Sequence, residues 1–148
     1  MSGGLSHWNF PVMSIANQQN IPVEQRWFNH APDSIRQVYQ RIVDLHPGHK
    51  LMRLIINGQT QGMDSGIHSD STHPNARTYI IYLNPEWKTH WGGATRFYAD
   101  LEGEILIHEQ VPEPGIMIGY SGNTWHKGCG PSVSNVLRVT LAIQIITE

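Results

Sequence analysis

From Leu51 onward, apolar and β-branched residues come in short bursts, separated mostly by clusters of glycine, proline and asparagine. Leu51–Ile56, Thr78–Leu83, Thr95–Tyr98, Ile105–His108, Ile116–Tyr120 and Val136–Ile146 each read as a strand. Asn57-Gly58, His73-Pro74-Asn75, Gly92-Gly93, Pro112-Glu113-Pro114-Gly115, Ser121-Gly122-Asn123 and the stretch 128–131 read as turns. Many short strands in succession imply an antiparallel sandwich or barrel.

One helix precedes them, expected over 31–47. Pro32 sits in its first turn, where a missing N–H costs nothing. Asp33 and Ser34 follow, where acidic and capping groups suit the dipole. Ile35, Val38, Tyr39, Ile42, Val43 and Leu45 recur at helical spacing and should face a core. His46-Pro47-Gly48 ends it. Residues 1–30 show little periodicity and suit an irregular segment or a short edge strand, with Pro11 and Pro22 limiting ladder pairing.

The 148 residues suit one domain over 1–148, with the β region at 50–147. A net charge of -2 and scattered Lys and Arg give no basic patch, so neither nucleic acid nor a membrane surface is an expected partner. Cys129 is the single cysteine, which excludes an intramolecular disulfide and fits a reducing compartment. No signal-peptide pattern and no apolar run near ~20 residues is present, and a cytoplasmic location is expected.

His68-Ser69-Asp70 is a His-x-Asp pair. On a strand, residues i and i+2 share a face, so imidazole and carboxylate converge on one point. With 9 histidines and 12 acids, such a pair arises by chance about 0.7 times in a chain of this length, and alone it is equally a strand-edge histidine beside a solvated aspartate. The ordered set carries more. His126 follows in Gly122-Asn123-Thr124-Trp125-His126, and Arg138 stands inside the apolar run Leu137–Ile143. An arginine in such a strand is costly unless paired, so it is either snorkelling, bridged to an internal acid, or a fork for a ligand carboxylate. Tyr82 can offer the same carboxylate a hydroxyl. Two histidines and one carboxylate leave open metal positions, the arrangement of non-haem Fe(II) oxygenases.

Taken together, His68-Ser69-Asp70, Tyr82-Leu83-Asn84-Pro85-Glu86-Trp87, Trp91-Gly92-Gly93-Ala94-Thr95-Arg96-Phe97-Tyr98, Pro112-Glu113-Pro114-Gly115, His126 and Arg138 resemble the 2-oxoglutarate/Fe(II)-dependent oxygenase superfamily, in its prolyl 4-hydroxylase-like branch. The resemblance spans about Leu51 to Ile146. It implies a mainly β, double-stranded β-helix (a cupin-like jelly roll) buttressed by the N-terminal helix. It implies Fe(II) on His68, Asp70 and His126, and 2-oxoglutarate on Arg138 and Tyr82, with Thr140 as a further pocket residue. Dioxygen is the implied oxidant, with ascorbate as an additional reductant. The implied reaction is hydroxylation of an unactivated C–H, with oxidative decarboxylation of 2-oxoglutarate to succinate. Asp70 argues against halogenation, since halogenases of this superfamily generally lack that carboxylate.

The chain departs from the family pattern beside Gly58-Gln59, where a tyrosine is usual and Ile55, Ile56 and Asn57 stand instead. Asn57 is either a substitute contact or a turn residue. Gln59–Gly66 is longer than usual and polar, which suits a mobile lid. Arg96 and Trp125 are substrate-contact candidates, each against a plainer role on a strand surface. Trp87 and Trp91 suit core packing. His73, His90 and His108 suit the surface, and Cys129 has no partner that would make it a nucleophile. The substrate readings are a prolyl or other residue in a peptide or protein, a free amino acid or small molecule, and, without 2-oxoglutarate, a cupin-like metal-binding module.

Overall fold

The computed structural model describes residues 8–14, as backbone, and 32–148. Strand β1 (Trp8–Ser14) is followed by helix α1 (Asp33–Leu45). Strands β2 (Lys50–Gln59), β3 (Ala76–Tyr82), β4 (Thr95–Tyr98), β5 (Leu106–Gln110), β6 (Met117–Ser121), β7 (Trp125–Gly128) and β8 (Arg138–Ile146) come after it, with a 3-10 turn at Thr89–Trp91. They form a five-stranded sheet in the order β1-β2-β8-β3-β6 and a three-stranded sheet in the order β5-β4-β7. All pairings are antiparallel. This is the expected jelly roll with its helical buttress.

Period-two alternation divides the large sheet. Leu141, Ile143 and Ile145 of β8, Leu54 of β2 and Ile81 of β3 face α1 and join Ile35, Tyr39 and Ile42 in the core. Arg138, Thr140, Ala142 and Gln144 lie on the other face, towards the small sheet. The helix is shorter than the expected 31–47, and Leu45 at its end is 58% exposed rather than in the core. His46 caps the helix through Ile42 O, and its ring packs against Tyr79 of β3.

β2 carries a register shift between Leu51 and Arg53, with Met52 the extra residue opposite β8. The extra residue inverts the facing of everything after it. Leu51 and then Leu54 point to the core, while Arg53, Ile55, Asn57 and Gln59 point between the sheets. Asn57-Gly58, expected as a turn, therefore lies inside β2.

β1 pairs with β2 at the sheet edge, and its register shifts just after Pro11, in keeping with the expected short edge strand. Pro22 and the rest of the first thirty positions lie outside the described residues. No helix among the described residues is long and apolar enough to cross a membrane.

Candidate metal and cosubstrate site

His68 and His126 meet across an antiparallel bridge. His68 N donates to His126 O (3.0 Å) and His126 N to His68 O (2.9 Å). Directly opposed residues share a face, so the two imidazoles lie 4.4 Å apart, centroid to centroid. Asp70, two residues on, is anchored by its N–H on Gly122 O at 2.9 Å. Ligand atoms from His68, Asp70 and His126 lie within 4.8 Å of one another.

The backbone sets both tautomers. His68 Nδ1 donates to Gly66 O (2.8 Å) and His126 Nδ1 to Thr124 O (2.9 Å). Both Nε2 atoms are therefore left facing Asp70 Oδ1, at 3.5 and 3.7 Å, and His126 Nε2 also accepts the Tyr120 hydroxyl at 3.2 Å. Metal-binding histidines need this arrangement. The other carboxylate oxygen, Oδ2, accepts Thr78 Oγ1 (2.7 Å) and, more weakly, the Tyr120 hydroxyl (3.4 Å). One oxygen is left for a metal and the other is held back. Two nitrogens and one oxygen on one side of a point fit a divalent iron with open positions opposite.

Electrostatics agree. The hydrogen bond that the Asp70 carboxylate accepts from the protonated ring raises the His68 pKa above the usual imidazole value. Burial pushes Asp70 up, but His68, His126 and Thr78 together hold it below the usual carboxylate range. Burial keeps His126 low, hence neutral, and holds the Tyr120 phenol well above its ordinary value, hence protonated.

Arg138 opens β8 and is 3% exposed. Nε donates to Gly93 O (2.7 Å), Nη1 to Gln59 Oε1 (2.6 Å) and Nη2 to Thr95 Oγ1 (2.8 Å). Among the described residues these contacts take three of its five N–H donors. None of its partners is a carboxylate, and Arg138 has no ion pair among the described residues. Gln59 has to be an amide here, because its Nε2 donates to Met63 O (2.8 Å) and Gly128 O (2.9 Å). A buried, oriented guanidinium whose charge no acid compensates is a site for an anion. Snorkelling and an internal acid, the two other roles open to Arg138, are both ruled out among the described residues.

A cavity of ≈ 120 Å³ between the sheets is lined by His68, Asp70, His126, Arg138, Thr140 and Asn57 together. Gln59, Thr78, Thr95 and Tyr120 line it too, and sequence reasoning had not singled them out. Tyr82 packs behind that wall. Its ring lies under Arg138 at 5.5 Å and its hydroxyl bonds Thr95 Oγ1 at 2.8 Å. Two substrate-contact candidates fall elsewhere. Arg96 pairs with Glu109 at 2.6 Å on β5, and Trp125 alternates with the inward His126 on β7. Neither lines the cavity.

Gln59–Gly66 is stitched down rather than free to act as a lid. Gly62 N bonds Pro131 O, Ser65 N bonds Gly128 O, and Asp64 Oδ1 accepts Gly130 N. Trp87 and Trp91 pack edge to face, and Trp87 Nε1 holds Gly92 O, which steadies the turn presenting Gly93 to Arg138. Cys129 is buried and unpaired, and burial raises its thiol pKa.

The two-sheet architecture is a double-stranded β-helix, the fold of solved prolyl hydroxylases and of a 2OG-Fe(II) oxygenase family protein. Three solved structures illustrate the likeness. A Pseudomonas putida prolyl-4-hydroxylase is 20% identical with a TM-score of 0.55, over 86% of this chain and 69% of that one. A Trichoplax adhaerens prolyl hydroxylase, in complex with a hypoxia inducible factor oxygen degradation domain peptide fragment, is 13% identical with a TM-score of 0.62, over 84% of this chain and 59% of that one. A Burkholderia pseudomallei oxidoreductase of the 2OG-Fe(II) oxygenase family is 19% identical with a TM-score of 0.58, over 86% and 60%. The chain thus spans about 60% of the length of the latter two. No family model and no curated protein matches it.

Proposed function

We propose that the chain is an Fe(II)- and 2-oxoglutarate-dependent oxygenase that hydroxylates an unactivated C–H, with a prolyl residue of a peptide or protein as the leading substrate. The observation that carries this reading is the buried Arg138 without an acidic partner, in one cavity with His68, Asp70 and His126. A cupin-like metal module has no need of a cation there. The peptide substrate is favoured by the architecture shared with prolyl hydroxylases, one of them seen with a peptide.

His68, Asp70 and His126 would hold the iron, and Arg138 would take the distal carboxylate of 2-oxoglutarate on its remaining donors. Thr140 and Asn57, opposite each other on β8 and β2, would flank that molecule. When bound, iron with 2-oxoglutarate and dioxygen supplies an oxidant able to take hydrogen from a C–H bond. The protein's part is ligand geometry, the charge clamp and a shielded cavity.

The test is succinate formation from 2-oxoglutarate under air with Fe(II), alongside calorimetry of 2-oxoglutarate binding to the metal-loaded protein. Succinate and binding are expected in the wild type. His126→Ala should lose metal and turnover, and Arg138→Ala should bind 2-oxoglutarate at least about a hundredfold more weakly, as for a severed buried charge pair. A wild type that neither binds 2-oxoglutarate nor forms succinate would leave the cupin-like module as the account.

A further inference from the structure

The cavity holds a second arginine. Arg53 lines it from β2, is exposed, and makes no ion pair or side-chain hydrogen bond among the described residues. The register places it far from Arg138. Gln59 pairs with Arg138, and Arg53, six residues back along β2, pairs with Gln144. Six residues at about 3.4 Å each separate the two levels by roughly 20 Å. 2-Oxoglutarate spans four C–C bonds of about 1.5 Å, less than about 6 Å. The Arg138 guanidinium is held at the Gln59 level by its bond to Gln59 Oε1, and strand side chains stand roughly perpendicular to the sheet, so one such molecule on Arg138 does not bridge to Arg53.

Arg53 stands instead at the end of the cavity where Thr78 holds the Asp70 carboxylate. Gln144, its partner on β8, pairs in turn with Thr78 on β3, and Thr78 Oγ1 holds Asp70 Oδ2 at 2.7 Å. Two strand spacings of about 4.8 Å put the Arg53 backbone about 10 Å from that of Thr78. The extra residue Met52 is what turns Arg53 inward, since unbroken alternation from Leu51 would have aimed it at α1.

We infer that Arg53, with Gln144 beside it, is the anion-recognising element for the second substrate, the molecule that is oxidised, and that this molecule carries a carboxylate close to the C–H that reacts. The carboxylate belongs either to a free α-carboxyl group, as in a free amino acid or the last residue of a peptide, or to an acidic side chain. The inference rests on the oxygenase reading and narrows its substrate. Arg53 is solvated until that carboxylate arrives, so its charge costs nothing in the empty protein, and the fork geometry suits two parallel hydrogen bonds. It is thereby a specificity residue rather than part of the metal centre.

The experiment uses the full chain loaded with Mn(II) and saturated with 2-oxoglutarate. The twenty common amino acids and their α-amides are screened by paramagnetic relaxation of ligand protons, and those that bind are titrated. Acids should bind and most amides should not. If the aspartate and glutamate amides still bind, the side chain is the source of the carboxylate; if every amide fails, the α-carboxyl group is. Arg53→Gln should weaken the best acid about tenfold or more, as expected for a lost hydrogen bond between charged groups. The 2-oxoglutarate titration in the same samples reports an intact pocket. Unchanged acid binding in Arg53→Gln, amides binding as well as acids, absence of any acid binding while 2-oxoglutarate binds, or loss of 2-oxoglutarate binding in the variant would each overturn the assignment. If the wild type does not bind 2-oxoglutarate, the oxygenase reading fails and takes this inference with it.

Discussion

Asp70 illustrates how little of a carboxylate's behaviour lies in its own side chain. Its two oxygens are made unequal by their neighbours: Oδ1 faces the two Nε2 atoms, while Oδ2 is held by Thr78 and Tyr120. Outer partners of this kind typically contribute ten- to a hundredfold to metal affinity. Thr78→Val, close to isosteric at a site 2% exposed, should therefore lower Mn(II) affinity about tenfold in a competition titration. Tyr120→Phe should cost less, because its contact is long at 3.4 Å. Equal affinities in all three proteins would mean that Oδ2 is not what orients the carboxylate. Neither hydroxyl is marked in the sequence, because Thr78 and Tyr120 are brought to Asp70 by pairing of β3 with β6, with no local spacing to betray it.

At the level of elements, the turn before β4 does the work of a ligand support. Gly93 has φ +75°, and a Cβ there would sit 2.7 Å from Trp87 Cζ2 and 3.3 Å from Arg138 Cδ. Its carbonyl is the acceptor for Arg138 Nε. Gly93→Ala should cost about 1–2 kcal/mol from the left-handed backbone alone. It should also displace the guanidinium, so 2-oxoglutarate affinity should drop several-fold in calorimetry while Mn(II) affinity holds. A parallel fall in both would show that the turn supports the whole cavity and not Arg138 alone. The Gly92-Gly93 step is legible as a turn in the sequence. The β2 bulge is not: nothing in Leu51-Met52-Arg53 announces an extra residue, and only pairing with β8 reveals it.

For the whole molecule, a metal held at the site would couple to stability, since an ion bound only by the folded state shifts the unfolding equilibrium. At a free metal concentration a hundredfold above Kd the gain is about 2.7 kcal/mol. For a chain of this size that raises Tm by roughly 5–10 °C. The increment should depend on pH. In the metal-free protein the raised His68 pKa contributes stability that is complete below the unfolded imidazole value and is lost as pH rises through the folded one. Metal requires His68 without its proton, so protons compete with it up to and somewhat above the ordinary imidazole range. The rise in Tm on adding Mn(II) should thus be smallest near pH 5.5 and grow towards pH 8 in scanning calorimetry. An increment independent of pH would remove His68 from the ligand set.

Local chemistry determined much of this in advance. Short β-rich bursts between turn residues specify strands, and a 3.6-residue period over Ile35–Ile42 specifies the buttressing helix, because both signals act within a few residues. His68 with Asp70, and Arg138 in its apolar strand, were visible for the same reason: one is an i, i+2 geometry and the other a charge out of place. What needed the tertiary structure was everything set by partners distant in sequence. The His68–His126 bridge, the amide of Gln59 on Arg138, and the hydroxyls on Asp70 depend on which strands lie side by side. The same pairing turned Asn57 from turn to cavity wall and sent Arg96 to Glu109. Side-chain facing in a sheet is a parity, and a single bulged residue inverts it, so a local pattern can name a strand without telling which of its residues reach the site.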